Sequence, residues 1–161
     1  MTEQVASTLR TMPFLETFPE DLFDRLAPLA RPVDFPRGTV VFRQGEETKT
    51  IYLMLEGSVA LEICAPAVGC KRILTVGPGE LLGWSPILKQ HRMTATARAL
   101  ADSRALAFDA DQLIVLCESE PRFGYEFMKR AALALAKRLH STRQQLVDVY
   151  GAQMPPAPEE P

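Results

Sequence analysis

Two histidines, three cysteines and one short basic cluster are the residues with which this sequence could do chemistry. His91 and His140 stand far apart, and the second falls within a long proline-free stretch. A protein zinc site draws together about three or four His, Cys or carboxylate ligands, which this spacing does not supply. No Ser-His-Asp or Cys-His arrangement is legible either. The chain therefore reads as a non-enzyme, with no catalytic and no metal-binding residue. Cys64 and Cys70 flank a turn-like stretch, Ala65 to Gly69, and Cys117 leaves an odd count without a CxxC pair. That usage reads as reduced thiols. The alternative is a bond between Cys64 and Cys70 across the base of a hairpin. Lys89, His91 and Arg92 follow the turn Gly83-Trp84-Ser85-Pro86. Such a cluster either favours a small anionic ligand or is simply solvated. Arg138, Thr142 and Arg143 carry the polar chemistry of the C-terminal half, as ligand contacts or as a solvated basic face.

Positioning these groups requires rigid elements, and the pattern supplies them. Between residues 31 and 109 the chain alternates short β-branched-rich runs with turn signals. Thr39 to Phe42, Ile51 to Leu55, Val59 to Ile63, Arg72 to Val76, Thr94 to Ala99 and Arg104 to Phe108 are divided by Gly and Pro. Close spacing of this kind predicts an antiparallel sandwich or barrel rather than βαβ units. Ahead of it, residues 1–30 are helical in texture. A short helix ends before Met12-Pro13, and Leu22, Phe23, Leu26 and Leu29 form one face of a second. Behind it, Asp109 is an N-cap for a helix carrying Leu113, Ile114 and Leu116, which stops before Pro121.

Residues 122–150 contain no proline and keep a seven-residue beat. Met128, Leu135, Thr142 and Val149 form one line, and Ala132, Leu139 and Leu146 a second. Alternating three- and four-residue steps are those of a coiled-coil seam, so these seven residues are the expected interface of a parallel homodimer. The alternative is packing of the helix on its own domain, strongest near Phe123 and Phe127. Gly151 ends the helix, and the Pro-rich tail, 152–161, is expected to be disordered.

A length of 161 residues with 47% hydrophobic and 24% charged residues suits one domain with its own core. A net charge of -2 excludes a strongly basic nucleic-acid surface. No apolar run nears the ~18 residues that span a bilayer, and the N-terminus lacks the order of a secretion signal. The expected location is the cytoplasm, without membrane contact.

Taken in order, FPRGTVVFRQGE, IYLMLEGSVAL, LTVGPGELLGW, TATARAL and AKRLHSTRQQL resemble the cyclic-nucleotide-binding domain. In particular they are similar to the sensor half of bacterial regulators of the cAMP-receptor and fumarate-nitrate-regulator type. Gly38, Gly45 and Gly57 match that family's turn glycines, and the resemblance runs from Val33 to Val149. It implies a mainly β, α+β fold: a jelly-roll-like β-roll (a double-stranded β-helix) over 31–109 and two C-terminal helices over 110–151. It also implies a phosphate-binding cassette within residues 79–98, where helix N–H groups, an arginine and a glutamate hold a cyclic nucleotide. The helix-turn-helix of those regulators has no counterpart here, since only ten residues follow Gly151. Direct sequence-specific DNA binding is therefore not expected.

The candidate ligand positions that the resemblance implies are Gly83, Trp84, Ser85, Ile87 and Leu88 in the turn, Arg92, Met93 and Thr94 after it, and Arg138 and Thr142 on the lid helix. Two of them depart from the family. Trp84 stands at the glutamate position and Met93 at the arginine position, with Arg92 one step early and so pointing the other way in a strand. Each charge-assisted bond lost costs about 1.5–3 kcal/mol, so binding of cAMP or cGMP should be much weakened. The expected function is a regulatory sensor that signals through its helix dimer and a protein partner. Its effector would be a cyclic nucleotide or another small anion. The alternative is a non-binding interaction module whose pocket Trp84 fills.

Overall fold

The computed structural model describes residues 2–88 and 92–159. Two helices come first, α1 (Thr2–Arg10) and α2 (Glu20–Leu26), with a 3-10 turn at Pro13–Leu15 between them and another at Ala27–Leu29. The helical face read over residues 19–30 is thus α2 plus that tightened turn. Pro28 has no N–H to continue an α-helical ladder.

Eight strands follow: β1 (Arg31–Phe35), β2 (Val40–Phe42), β3 (Thr50–Glu56), β4 (Val59–Ala65), β5 (Gly69–Val76), β6 (Leu81–Leu82), β7 (Thr96–Ala99) and β8 (Ser103–Asp109). They form two four-stranded sheets, β1-β8-β3-β6 and β2-β7-β4-β5, antiparallel throughout. The sandwich-or-barrel expectation resolves as two facing sheets.

Side-chain alternation explains the layering. Met54 of β3 and Ala105 of β8 turn inward to meet Val59, Leu61 and Val76 of the other sheet, with Phe42, Leu82, Met93, Ala95 and Ala97. One step away, Ile51, Leu53, Leu106 and Phe108 face the helices and join Leu9, Leu22, Phe23, Leu26, Leu113 and Phe123. The centre of the first sheet, along β3 and β8, is therefore buried on both faces. The second is not: Arg98 of β7 and Glu62 of β4 point outward and pair at 3.6 Å.

The helices α3 (Ala110–Ser119) and α4 (Pro121–Tyr150) close the fold. Asp109 caps α3, its carboxylate accepting from the Gln112 N–H at 3.0 Å. Gly124 lets the two helices touch: a Cβ there would lie 2.6 Å from the Cys117 carbonyl oxygen. Phe123, Phe127 and Ala131 anchor the first turns of α4, and Phe14 and Phe18 meet the two phenylalanines edge-on. Further along, Arg138 still reaches the Leu81 carbonyl; past Ser141 the helix leaves the domain, and Leu139, Leu146 and Val149 are 51%, 48% and 69% exposed.

The cysteines depart from the expectation of free thiols. Cys64 and Cys70 are directly opposed in the β4–β5 hairpin and joined as a disulfide, with Cα atoms 3.9 Å apart. The turn Ala65 to Gly69 sets that register, and register alone brings the sulfurs together. Cys117 stays free and partly buried, and burial pushes its thiol pKa up. Among the described residues no helix is long and apolar enough to cross a membrane.

Candidate functional site

Gly83 ends β6 with φ of +76°, a conformation that favours glycine. Space as well as angle holds the position. A Cβ there would lie 3.2 Å from the Phe42 ring, 3.5 Å from the Thr50 carbonyl and 3.6 Å from the Met93 methyl. The Ser85–Leu88 segment is a 3-10 turn, closed by the Ile87 N–H donating to the Trp84 carbonyl at 3.0 Å. Ser85 and Ile87 are buried, while Leu88 is exposed. Trp84 is partly buried and packs with the helix-side core rather than between the sheets.

Met93 occupies the space facing Gly83, 4% exposed. Its backbone is pinned from both sides, its N–H donating to the Glu46 carbonyl at 2.9 Å and its carbonyl accepting from the Gly45 N–H at 2.7 Å. With that register fixed, the neighbouring Arg92 must point away. Its guanidinium donates to the Gly45 carbonyl at 3.0 Å and meets Glu47 at 3.3 Å in solvent. Thr94 is exposed. Of the expected basic cluster, Lys89 and His91 lie outside the described residues. Among the described residues no group of three or more His, Cys, Asp or Glu converges as a metal site.

The lid helix is arranged differently. Arg138 is half-buried and donates to the Leu81 carbonyl at 2.6 Å. Burial pushes its guanidinium pKa down, and the Glu80 carboxylate partly offsets this. Thr142 is exposed and its hydroxyl donates to the Arg138 carbonyl one turn back, at 2.9 Å. The structure thus brings Gly83 and Met93 together. It leaves Leu88, Arg92, Thr94 and Thr142 at the surface, and places Arg138 in a separate cavity of about 520 Å³ beside α4. Met128, Ala132, Leu139, Thr142, Leu146 and Val149 are exposed, and Leu135 is half-buried.

A family model described as the cyclic nucleotide-binding domain matches residues 32–120. The chain belongs to that family. Within it, this cyclic nucleotide-binding domain is 31% identical over 126 residues to a CRP-like cAMP-activated global transcriptional regulator of Mycobacterium tuberculosis. The match covers 78% of this chain and 54% of the relative, so the chain spans about half the length of that regulator. Among solved structures, the N-terminal domain of a Streptomyces coelicolor transcriptional regulator superposes with a TM-score of 0.66 at 25% identity, over 86% of this chain and 94% of that one. A cyclic nucleotide-binding domain from Methylobacillus flagellatus shares the fold, with a TM-score of 0.78, 18% identity and coverage of 97% and 85%.

One feature of this domain escaped the sequence. Arg130, 5% exposed, ties α4 to the N-terminal segment. It pairs with Glu126 at 2.5 Å, donates to the Glu16 carbonyl and the Thr17 hydroxyl at 3.2 Å each, and lies over the Phe18 ring at 5.0 Å. Thr17 holds a positive φ of 61° at this clamp, uncommon for a β-branched residue. The Glu126–Arg130 spacing was the available signal, since i,i+4 pairs of this sign meet on a helix. Its long-range half joins residues more than a hundred apart, which no local pattern announces.

Proposed function

We propose that this cyclic nucleotide-binding domain is a regulatory module that no longer holds a cyclic nucleotide in its cassette and signals through a homodimer built on α4. The observation that carries the reading is the exchange at the cassette turn. Met93 and Phe42 fill the space facing Gly83, and Arg92, the arginine beside Met93, is turned to solvent. An apolar wall offers an anionic phosphate no compensation for its lost hydration. This reading replaces the Trp84-filled pocket, because that ring packs on the helix side.

The dimer reading rests on α4. Leu139, Leu146 and Val149 keep the heptad beat on a helix that extends past its own domain, and apolar seams of that kind are buried by a second helix. The partner that reads the dimer is a protein. The domain works in the cytoplasm, where the Cys64–Cys70 pair has to persist against thiol reductants.

Sedimentation velocity and thermal shift test the proposal together. The expected result is a dimer whose melting temperature does not move with cAMP or cGMP at millimolar concentration. The double substitution Leu139→Asp and Leu146→Asp should yield a folded monomer. A saturable shift with either nucleotide would overturn the first half; a monomeric parent chain would overturn the second.

A further inference from the structure

The cavity beside α4 is a different place from the cassette turn. It is walled by Phe14 and its neighbours in the first 3-10 turn, by Leu74 of β5, by the turn Pro78 to Leu81, and by α4. Of the candidate ligand residues named above Arg138 borders it, and Gly79, Glu80 and Leu81 reach it from the start of the cassette segment. On α4 it takes Arg130, Leu133, Ala134, Lys137, Arg138 and Ser141. Arg130, Ala134, Lys137 and Ser141 each stand two residues after a seam position, Met128, Ala132, Leu135 and Leu139. Two residues turn an α-helix by about 200°, so those four face away from the seam, and Leu133 and Arg138 lie on the flanks between. The span from Arg130 to Ser141 makes the groove about 16 Å long at ~1.5 Å per residue.

Its lining has two chemistries. Phe14, Leu74, Leu81 and Leu133 offer apolar surface, and Leu133 is 63% exposed in spite of bordering the cavity. Lys137 and Arg138 offer positive charge, and among the described residues neither is within ion-pair distance of a carboxylate. Two carboxylates also border the groove, Glu16 and Glu80, but the Glu80 side chain is engaged by the Gly77 N–H at 2.8 Å. Arg138 uses one donor of its five, on the Leu81 carbonyl. Arg130 adds a second kind of observation. It borders the cavity, is 5% exposed, and its Nε is buried with no hydrogen-bond partner among the described residues. Buried donors are rarely left so.

We infer that this groove is a ligand site for a small amphipathic carboxylate, its apolar body along Phe14, Leu74, Leu81 and Leu133 and its carboxylate on Arg138 and Lys137. Its volume falls within the usual few hundred to a thousand Å³ of small-molecule pockets. The site itself does not depend on the regulatory reading; only its use as an effector site does. A ligand there would lie between α4 and the β-domain without touching the seam, placed to bias how the dimer helix sits.

Isothermal titration of the full chain with decanoate tests this, with decanol and decylamine as probes of charge. Decanoate should bind saturably at one per chain, and decanol about tenfold or more weaker, the loss expected for a charge-assisted contact. Arg138→Gln should weaken decanoate by a similar factor. Ala134→Trp, or Ser141→Trp at the exposed rim should the first not fold, should abolish it. Arg72→Gln, exposed on β5 and outside the groove, should leave it unchanged. No saturable heat at millimolar decanoate overturns the proposal. So does equal affinity for decanol or decylamine, and so does indifference to Arg138→Gln in a folded variant. A parallel cAMP titration keeps the two readings apart, since cAMP binding would sink the empty-cassette reading and leave the groove result standing.

Discussion

The cassette turn and the α4 groove both carry neighbouring residues that differ in what they can do for an anion, yet the two neighbourhoods sort them in opposite ways. At the turn, Arg92 and Met93 are adjacent in an extended stretch, and extended backbone sends adjacent side chains to opposite sides. Met93 goes inward against Gly83, and Arg92 goes out to Glu47. On the helix, Lys137 and Arg138 are also adjacent, but a step of about 100° leaves both on the flank that borders the cavity. On the proposed reading, a one-residue offset leaves a strand-built anion site without its cation, whereas neighbouring residues of a helix can serve the same flank.

Reversing the exchange should have the largest effect. Met93→Arg places a cation between Phe42 and Gly83 with no partner. An unpaired buried charge costs about 3–5 kcal/mol, a large share of the about 5–15 kcal/mol that holds a domain folded, so the urea midpoint should fall sharply. Adding cAMP should recover little, because Trp84 still stands where the family has its glutamate. If Met93→Arg were as stable as the parent and bound cAMP, the closed side would be a latent cassette lacking one residue. The contrast with the groove would then collapse.

Much of this was legible beforehand, for physical reasons that differ by element. The strands of residues 31–109 and the cap at Asp109 are local, and period-two alternation or a side chain three residues from an N–H encodes them. The outward turn of Arg92 followed from the same alternation. The fate of Trp84 did not. A tryptophan beside a pocket glycine can face either core, and the decision is made by Ile87 and the helices packed beneath it. The groove was equally hidden, because Phe14, Leu74 and Lys137 come from three distant segments. The cysteine pair failed on a prior: usage argued for free thiols, while hairpin register put Cys64 opposite Cys70.

That pair gives a test of middle size. The β4–β5 hairpin covers the closed side through Val59 and Leu61, and Leu74 of β5 also borders the groove. The link spans a sequence separation of 6, for which chain-entropy reasoning gives about 2 kcal/mol at most. The hairpin already holds its ends together, through seven ladder pairs and through Gln44, whose side-chain oxygen accepts from the Cys64 N–H at 2.9 Å. Reduction, or Cys64→Ser with Cys70→Ser, should therefore lower stability by no more than about 2 kcal/mol and leave decanoate affinity unchanged. A large drop in affinity on reduction would mean that the groove and the hairpin are coupled, and that the two regions are not independent.

The smallest effect separates the regions by pH. The closed side at Gly83 and Met93 is apolar and should not respond to acid. The wall of the groove is held by Arg130, and Arg130 depends on Glu126. The hydrogen bond from Arg130 holds the Glu126 carboxyl below its ordinary value of 4.5, against desolvation, which pushes the other way. A carboxylate with a lowered folded pKa contributes stability that is full above the ordinary carboxylate range and is lost as pH falls through the lowered value. Asp21, paired with Arg122 at 2.6 Å, is shifted in the same direction and adds a parallel decline. Urea midpoints measured from neutral pH down to about pH 3 should therefore fall for the parent chain below about pH 4.5. Glu126→Gln should start lower at neutral pH and fall less steeply, and adding Asp21→Asn should flatten the curve further. Met93→Ala should shift the curve down without changing its slope. If Glu126→Gln left the slope untouched, Arg130 would be held by the Glu16 carbonyl and the Thr17 hydroxyl alone. The groove wall would then be as indifferent to acid as the closed side.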